Sequence, residues 1–193
     1  MKKLTFINAC IREGESRTLR LANPLIEELS KRYEVTEIKL SHSDLKPITF
    51  PLYKERGTNG LSEEDLTNGR LVAEADRIVI AAPFWDMGIP SILKTFIEHI
   101  SAPDLTFCNN PDGSTRGNCK AEKLLYITTR GMDIETGSPL EQGSSYLKAL
   151  SWLWGIGEVV TVDVHGTDVN DSETVNRRIS EAIKYGIEIC KEF

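Results

Sequence analysis

Three short stretches of the 193-residue chain carry residue types suited to holding a ligand rather than cutting one. The first runs from Ala9 to Thr18. It holds Cys10, Arg12, Gly14, Ser16, Arg17 and Thr18, so hydroxyl donors, guanidinium charge and a glycine lie next to one another. Where such a stretch opens a helix, free backbone N–H groups add to the donors and suit a phosphate. The same residues also suit a helix cap flanked by solvated arginines. The stretch is no Walker loop, lacking Gly-Lys-Ser/Thr, and it has no Gly-x-Gly-x-x-Gly, so neither ATP nor a dinucleotide of the usual kind is indicated.

The second stretch is Ala82-Pro-Phe-Trp-Asp-Met-Gly-Ile-Pro90, with Phe84 and Trp85 followed by Asp86 and Met87 inside a proline-flanked turn. Aromatic side chains in such a turn suit a flat ligand, or they pack over the end of a sheet. The third stretch supplies Thr129, Arg130, Gly131 and Met132: a hydroxyl, a guanidinium and a backbone that a ligand can approach closely. No Ser/His/acid triad order, nucleophile elbow or spaced carboxylate pair accompanies them. A site for a flat, phosphorylated ligand with no acid–base machinery of its own points to a cofactor that does the chemistry itself, and FMN fits that description. No catalytic side chain is therefore expected.

These stretches need a frame. Lys3–Asn8, Val35–Leu40, Arg77–Ala82, Lys123–Thr128 and Glu158–Val164 read as strands. Arg77–Ala82 is apolar on both faces, as a central parallel strand is. Between them lie helical patterns: a region up to Tyr33, Ser62 to about Ala75 behind a capping-box-like Ser62-Glu-Glu-Asp65, Ile89–Ile100, Tyr146–Trp154 and Glu173–Glu192. Pro24 falls inside the first. Either that helix starts near Ser16 and kinks, or Asn23 caps a shorter one with Pro24 at its first position. A loop with Pro47, Pro51, Gly57 and Gly60 separates the second strand from the next helix. Strands alternating with helices predict an α/β fold: a doubly wound, five-stranded parallel sheet in three α/β/α layers, in the flavodoxin-like order 2-1-3-4-5. Leu105–Ala121 reads as a hairpin-like insertion before strand four. In such a sheet the three stretches follow strands one, three and four and can meet at one crevice.

Length and composition bound the partners. The chain suits a single domain over residues 1–193. A net charge of −6 is a poor match for nucleic acid. No apolar run is long enough to cross a bilayer, and the N-terminus does not read as a signal peptide, so a cytoplasmic chain without membrane insertion is expected. The four cysteines, Cys10, Cys108, Cys119 and Cys190, form no Cys-x-x-Cys pair, and the three histidines lack ligand spacing, so no metal site is expected. Cys108 and Cys119 bracket the hairpin loop and are close enough in sequence to be joined.

The chain resembles the family of FMN-dependent NADH:quinone oxidoreductases and azoreductases. The likeness rests on Cys10 with Ser16-Arg17-Thr18, on Ala82-Pro-Phe-Trp-Asp-Met87 followed by Ile89-Pro-Ser-Ile-Leu-Lys-Thr-Phe-Ile, on Leu105-Thr-Phe, on Ile127-Thr-Thr-Arg-Gly131, and on the helix from Tyr146 to Gly155-Ile-Gly. These run in order along almost the whole chain. The resemblance implies a homodimer with FMN at the subunit interface and NADH or NADPH as electron donor. A quinone or azo-type aromatic then receives two electrons in a ping-pong cycle. Cys10 and Ser16–Thr18 would hold the phosphate, Phe84–Met87 the ring and ribityl side, and Thr129–Met132 the isoalloxazine edge. Cys10, Asp86 and Met132 depart from the family's more usual Ser, Asn and Gly. The alternative reading is a flavodoxin-type FMN electron carrier with a protein partner.

Overall fold

The computed structural model describes residues 1–55 and 61–193; Gly57 and Gly60 of the expected loop lie outside the described residues. In chain order the elements are β1 (Lys2–Asn8), α1 (Arg17–Ser30), β2 (Tyr33–Lys39), α2 (Phe50–Glu55), α3 (Glu63–Glu74), β3 (Arg77–Ala81), α4 (Ser91–Ile100), β4 (Phe107–Asn109), β5 (Thr115–Gly117), β6 (Lys123–Thr129), α5 (Gln142–Trp154), β7 (Glu158–Val164) and α6 (Ser172–Glu192). The main sheet is parallel throughout, in the order β2-β1-β3-β6-β7. Its labels depart from 2-1-3-4-5 because β4 and β5 intervene in the chain and form their own antiparallel pair, the expected hairpin.

The central strands are buried on both faces because successive side chains alternate. Ile78 and Ile80 of β3 face one core, with Val72, Leu93, Phe96, Ile97, Leu147 and Trp154 from α3, α4 and α5. Val79 and Ala81 face the other, with Leu21, Leu25 and Leu29 of α1 and Val175, Ile179 and Cys190 of α6. This is the three-layer α/β/α arrangement. Where α1 meets α6 the approach is close: a Cβ on Gly186 would stand 2.6 Å from Leu25 Cδ2.

Several boundaries differ from the sequence reading. α1 runs unbroken from its cap at Ser16 through Pro24, so Asn23 caps nothing. An internal proline costs up to ~3 kcal/mol. Burial of Leu21, Leu25 and Leu29 stabilises the helix by roughly 1.5–3 kcal/mol each, which offsets it. α1 also stops at Ser30, and Tyr33 begins β2. α5 starts four residues before Tyr146, because Glu141 caps it by accepting from Ser144 N–H at 2.9 Å. Pro51, expected in a loop, is the second residue of the short helix α2, a position where its missing N–H costs nothing. Ser62 caps α3 as expected, accepting from Asp65 N–H at 3.0 Å. All four cysteines are free thiols, Cys108 and Cys119 included.

Candidate functional site

At the carboxyl end of the sheet the loops after β1, β3, β6 and β7 enclose an open crevice with about 630 Å³ of empty space, part of it continuous with solvent. The loop after β1 contributes Cys10, Arg12 and Ser16, and the start of α1 contributes Arg17 and Thr18; the loop after β3 contributes Phe84 and Trp85; the end of β6 and the loop beyond it contribute Thr129 and Gly131. The fold thus brings together nine of the residues singled out from sequence. Asp86, Met87, Arg130 and Met132 do not line the crevice.

Most of its polar groups are engaged. Ser16 Oγ accepts from Leu19 N–H at 3.2 Å as the cap of α1. The Thr18 and Thr129 hydroxyls lie 2.7 Å apart and tie the first loop to the third. Arg12 lies 3.4 Å from Glu15. Cys10 is buried; its Sγ donates to Ala81 C=O at 3.6 Å and its N–H to Asn8 Oδ1 at 3.0 Å. Burial pushes that thiol up to about 11. The backbone N–H groups of Arg17 and Thr18, in the first turn of α1, take no hydrogen bond among the described residues. A helix N-terminus of this kind concentrates positive potential at the crevice.

The aromatics divide. Phe84 is buried, its N–H donating to Thr129 C=O at 3.1 Å. Trp85 is 39% exposed on the crevice wall. Trp85 and Gly88 exchange backbone hydrogen bonds of 3.1 and 2.9 Å. That closes a two-residue turn in which Asp86 (φ 45°) and Met87 (φ 65°) are both left-handed. Asp86 is exposed and Met132 is 47% exposed.

Arg130 is a correction. Its guanidinium does not reach the crevice; the residue is fully buried, paired with Asp163, donating to Thr136 Oγ1 at 2.8 Å and 3.9 Å from Glu141. The reason is strand alternation. Thr129 and Gly131 face the crevice, so the side chain between them faces away, toward carboxylates that compensate its charge.

Sequence reasoning missed Thr167 and Asp168. Arg17 Nη1 donates to Thr167 Oγ1 at 3.0 Å and to Asp168 Oδ1 at 2.5 Å. Gly131 lies against the same carboxylate: a Cβ there would stand 2.1 Å from Asp168 Oδ2, so only glycine fits beside Asp168 as it stands. No motif marks these two residues. They follow the fifth strand at the sheet edge that carries the other loops, and that placement was the available signal.

Fold and crevice together define a doubly wound α/β protein with an open crevice beyond the carboxyl ends of its strands, where the loops after β1 and β3 meet. The chain belongs to the flavodoxin-like fold family, whose sequence model matches residues 2–185. It is 31% identical over 210 residues to an FMN-dependent NADH:quinone oxidoreductase of Clostridium perfringens (strain SM101 / Type A), with 100% of both chains covered. It is 33% identical over 214 residues to FMN-dependent NADH:quinone oxidoreductase 2 of Clostridium acetobutylicum, again with 100% of both covered. Among solved structures, the azoreductase from Bacillus anthracis str. Sterne matches with a TM-score of 0.85 at 20% identity, covering 100% of each chain. An FMN-dependent NADH-azoreductase from Bacillus anthracis str. Ames Ancestor, solved in complex with FMN, matches with a TM-score of 0.80 at 22% identity, covering 100% of this chain and 99% of that one. At those identities the structural likeness speaks for the fold.

Proposed function

We propose that this chain is an FMN-dependent oxidoreductase that moves two electrons from NADH or NADPH to a quinone or azo-type aromatic acceptor. The observation that carries the reading is the crevice itself, where the N-terminus of α1 and an exposed indole share one cavity. The residues fit FMN. Two unpaired first-turn N–H groups, the Ser16 and Thr18 hydroxyls and the Arg17 guanidinium form a donor set for a phosphate dianion. Trp85 offers an apolar face for a flat ring, and Gly131 a backbone free of side chain. Cys10 contributes packing, since its thiol and N–H already have acceptors within the chain. FMN, when bound, supplies the redox chemistry, accepting two electrons from the nicotinamide and delivering them to the acceptor. The chain binds, orients and screens it from water.

Full-length relationship to FMN-dependent NADH:quinone oxidoreductases supports the donor and the acceptor class. The cycle is ping-pong, with donor and acceptor taking turns at the same open crevice. Residues 1–193 act as one cytoplasmic domain, and two copies form a homodimer. Ile11 (46% exposed) and Trp85 at the crevice, with Met132 beside Gly131, leave apolar surface that a second subunit would cover. Among the described residues no helix is long and apolar enough to cross a membrane.

The test is direct. After soaking in FMN and desalting, the protein should be yellow with up to one flavin per chain, and it should oxidise NADH or NADPH with menadione or methyl red as acceptor. Absence of FMN binding together with binding of a nucleoside triphosphate overturns the reading. Reductive titration with dithionite in the absence of oxygen separates enzyme from carrier, because an abundant stable semiquinone would favour a flavodoxin-type carrier. Sedimentation at micromolar concentration checks the dimer.

A further inference from the structure

Beneath the crevice lies a buried charged cluster. Arg130 and Glu141 are both fully buried, and Asp163 pairs with Arg130 from the neighbouring strand. Arg130 Nε and Nη1, Tyr126 Oη and Thr128 Oγ1 are buried there without a hydrogen-bond partner among the described residues. Such a cluster is a poor device for stability: desolvation consumes most of the attraction, and unpaired buried donors add cost. Well-packed apolar side chains would serve a core better, so the cluster calls for another explanation.

Its connections supply one. Arg130 C=O accepts from Thr167 N–H and Thr167 Oγ1, each at 3.0 Å, and Thr167 Oγ1 in turn accepts from Arg17. The Arg130 guanidinium stands 5.8 Å from the centre of the Phe84 ring. Glu141 caps α5 through Ser144 N–H and hydroxyl, and the next residue, Gln142, donates its N–H to Met87 C=O at 3.0 Å. That bond pins the turn in which Asp86 and Met87 are left-handed, a conformation that persists only when its surroundings hold it.

We propose that Arg130 and Glu141 are positioning residues: through Gln142 and Phe84 they hold the Trp85–Gly88 turn at the ring end of the flavin site without touching the cofactor. The proposal rests on the FMN reading above. It also accounts for buried ionic groups that stability does not explain, because charge pairing and directional hydrogen bonds specify one arrangement of the loops where apolar packing would tolerate several.

The deciding variant is Gln142→Pro, examined on the full chain reconstituted with FMN. Gln142 is the first residue of α5, where proline is well tolerated, and Glu141 before it is already extended (φ −96°, ψ 95°), needing a rotation of only about 25° in ψ to reach the range preferred before proline. The substitution therefore leaves the helix intact and removes the N–H that reaches Met87, together with the exposed side-chain bond from Gln142 Nε2 to Pro139 C=O, which Gln142→Ala removes alone as the control. Loss of that hydrogen bond should weaken FMN and riboflavin alike by about tenfold and shift the visible absorption of bound FMN. Far-ultraviolet circular dichroism should be unchanged. Glu141→Gln should move the same readouts in the same direction, whereas Arg17→Gln should weaken FMN and spare riboflavin. Flavin affinity and spectrum in Gln142→Pro equal to those of the parent overturn the proposal, whatever Glu141→Gln does to folding. A parent chain that binds no flavin overturns the functional reading instead.

Discussion

Arg17 Nη1 lies 2.5 Å from Asp168 Oδ1, so the guanidinium proposed to hold the phosphate is already paired across the crevice with a carboxylate 151 residues away. The pair is solvent-accessible, with the two side chains 42% and 68% exposed, and by itself is worth no more than ~1 kcal/mol. Its effect on an anionic ligand is larger than its effect on folding. At ~6 Å and near-aqueous dielectric, a phosphate dianion and the Asp168 carboxylate repel by roughly 1.4 kcal/mol, about a factor of ten. Asp168→Asn should tighten FMN by about that factor and leave riboflavin unchanged. Arg17→Gln removes a charge-assisted hydrogen bond of roughly 1.5–3 kcal/mol and should weaken FMN alone. Flavin fluorescence titration measures both. Equal losses for FMN and riboflavin in Arg17→Gln would put the phosphate elsewhere.

The left-handed pair at Asp86 and Met87 makes a second prediction. A two-residue turn with both central φ angles positive favours Asn-Gly, and a side chain in that conformation costs about 1–2 kcal/mol. Introducing Asp86→Asn with Met87→Gly should stabilise the chain by about 1 kcal/mol and raise Tm by ~2–4 °C. Thermal denaturation without flavin checks it; a lower Tm would mean that packing of the half-buried Met87 side chain outweighs the strain.

Glu13, also left-handed at φ 41°, ties the loop after β1 to the end of β2. Its carboxylate accepts from His42 Nε2 at 2.5 Å and Ser41 Oγ at 3.2 Å, and lies 3.3 Å from Lys39 Nζ. These contacts, the His42 hydrogen bond first, hold its pKa below the usual 4.5. A carboxyl lowered on folding stabilises above its unfolded value, and the contribution is lost as pH falls through the folded value. Carboxyl NMR should show Glu13 titrating below 4.5, and Glu13→Gln should flatten the stability profile in that acid window. An unshifted titration would mean that the tether does not persist in solution.

Thiol chemistry makes a fourth prediction. Burial pushes Cys10 up to about 11, and Cys119 and Cys190 up to about 12. Because the thiolate is the reactive form, these three should label slowly at pH 8 in the folded chain. Half-buried Cys108, on β4 of the hairpin, should label first. Peptide mapping after a short maleimide pulse reads the order, and early labelling of Cys10 would show that the crevice loop opens in solution.

The frame was legible in the sequence because its signals are local. The double-sided apolar run of β3, the stripe Leu93, Phe96, Ile97 and Ile100 on α4 and the Ser62 cap each follow from the geometry of a few neighbouring residues. The three crevice loops could be located for the same reason, since each follows a recognisable strand. α5 began earlier than expected because Gln142-Gly-Ser-Ser145 carries no apolar stripe and Glu141 is an uncommon cap. What the tertiary structure alone decided is pairing over distance. Arg17 meets Thr167 and Asp168 only because β7 ends at the same sheet edge as β1, with two strands between them. Arg130, the first residue past β6, keeps the strand's alternation through its N–H to Val164 C=O and turns inward toward carboxylates that its neighbours in sequence do not reveal. Periodicity is written into a short backbone segment, whereas the partner of a charged side chain depends on which distant segments the topology sets beside it.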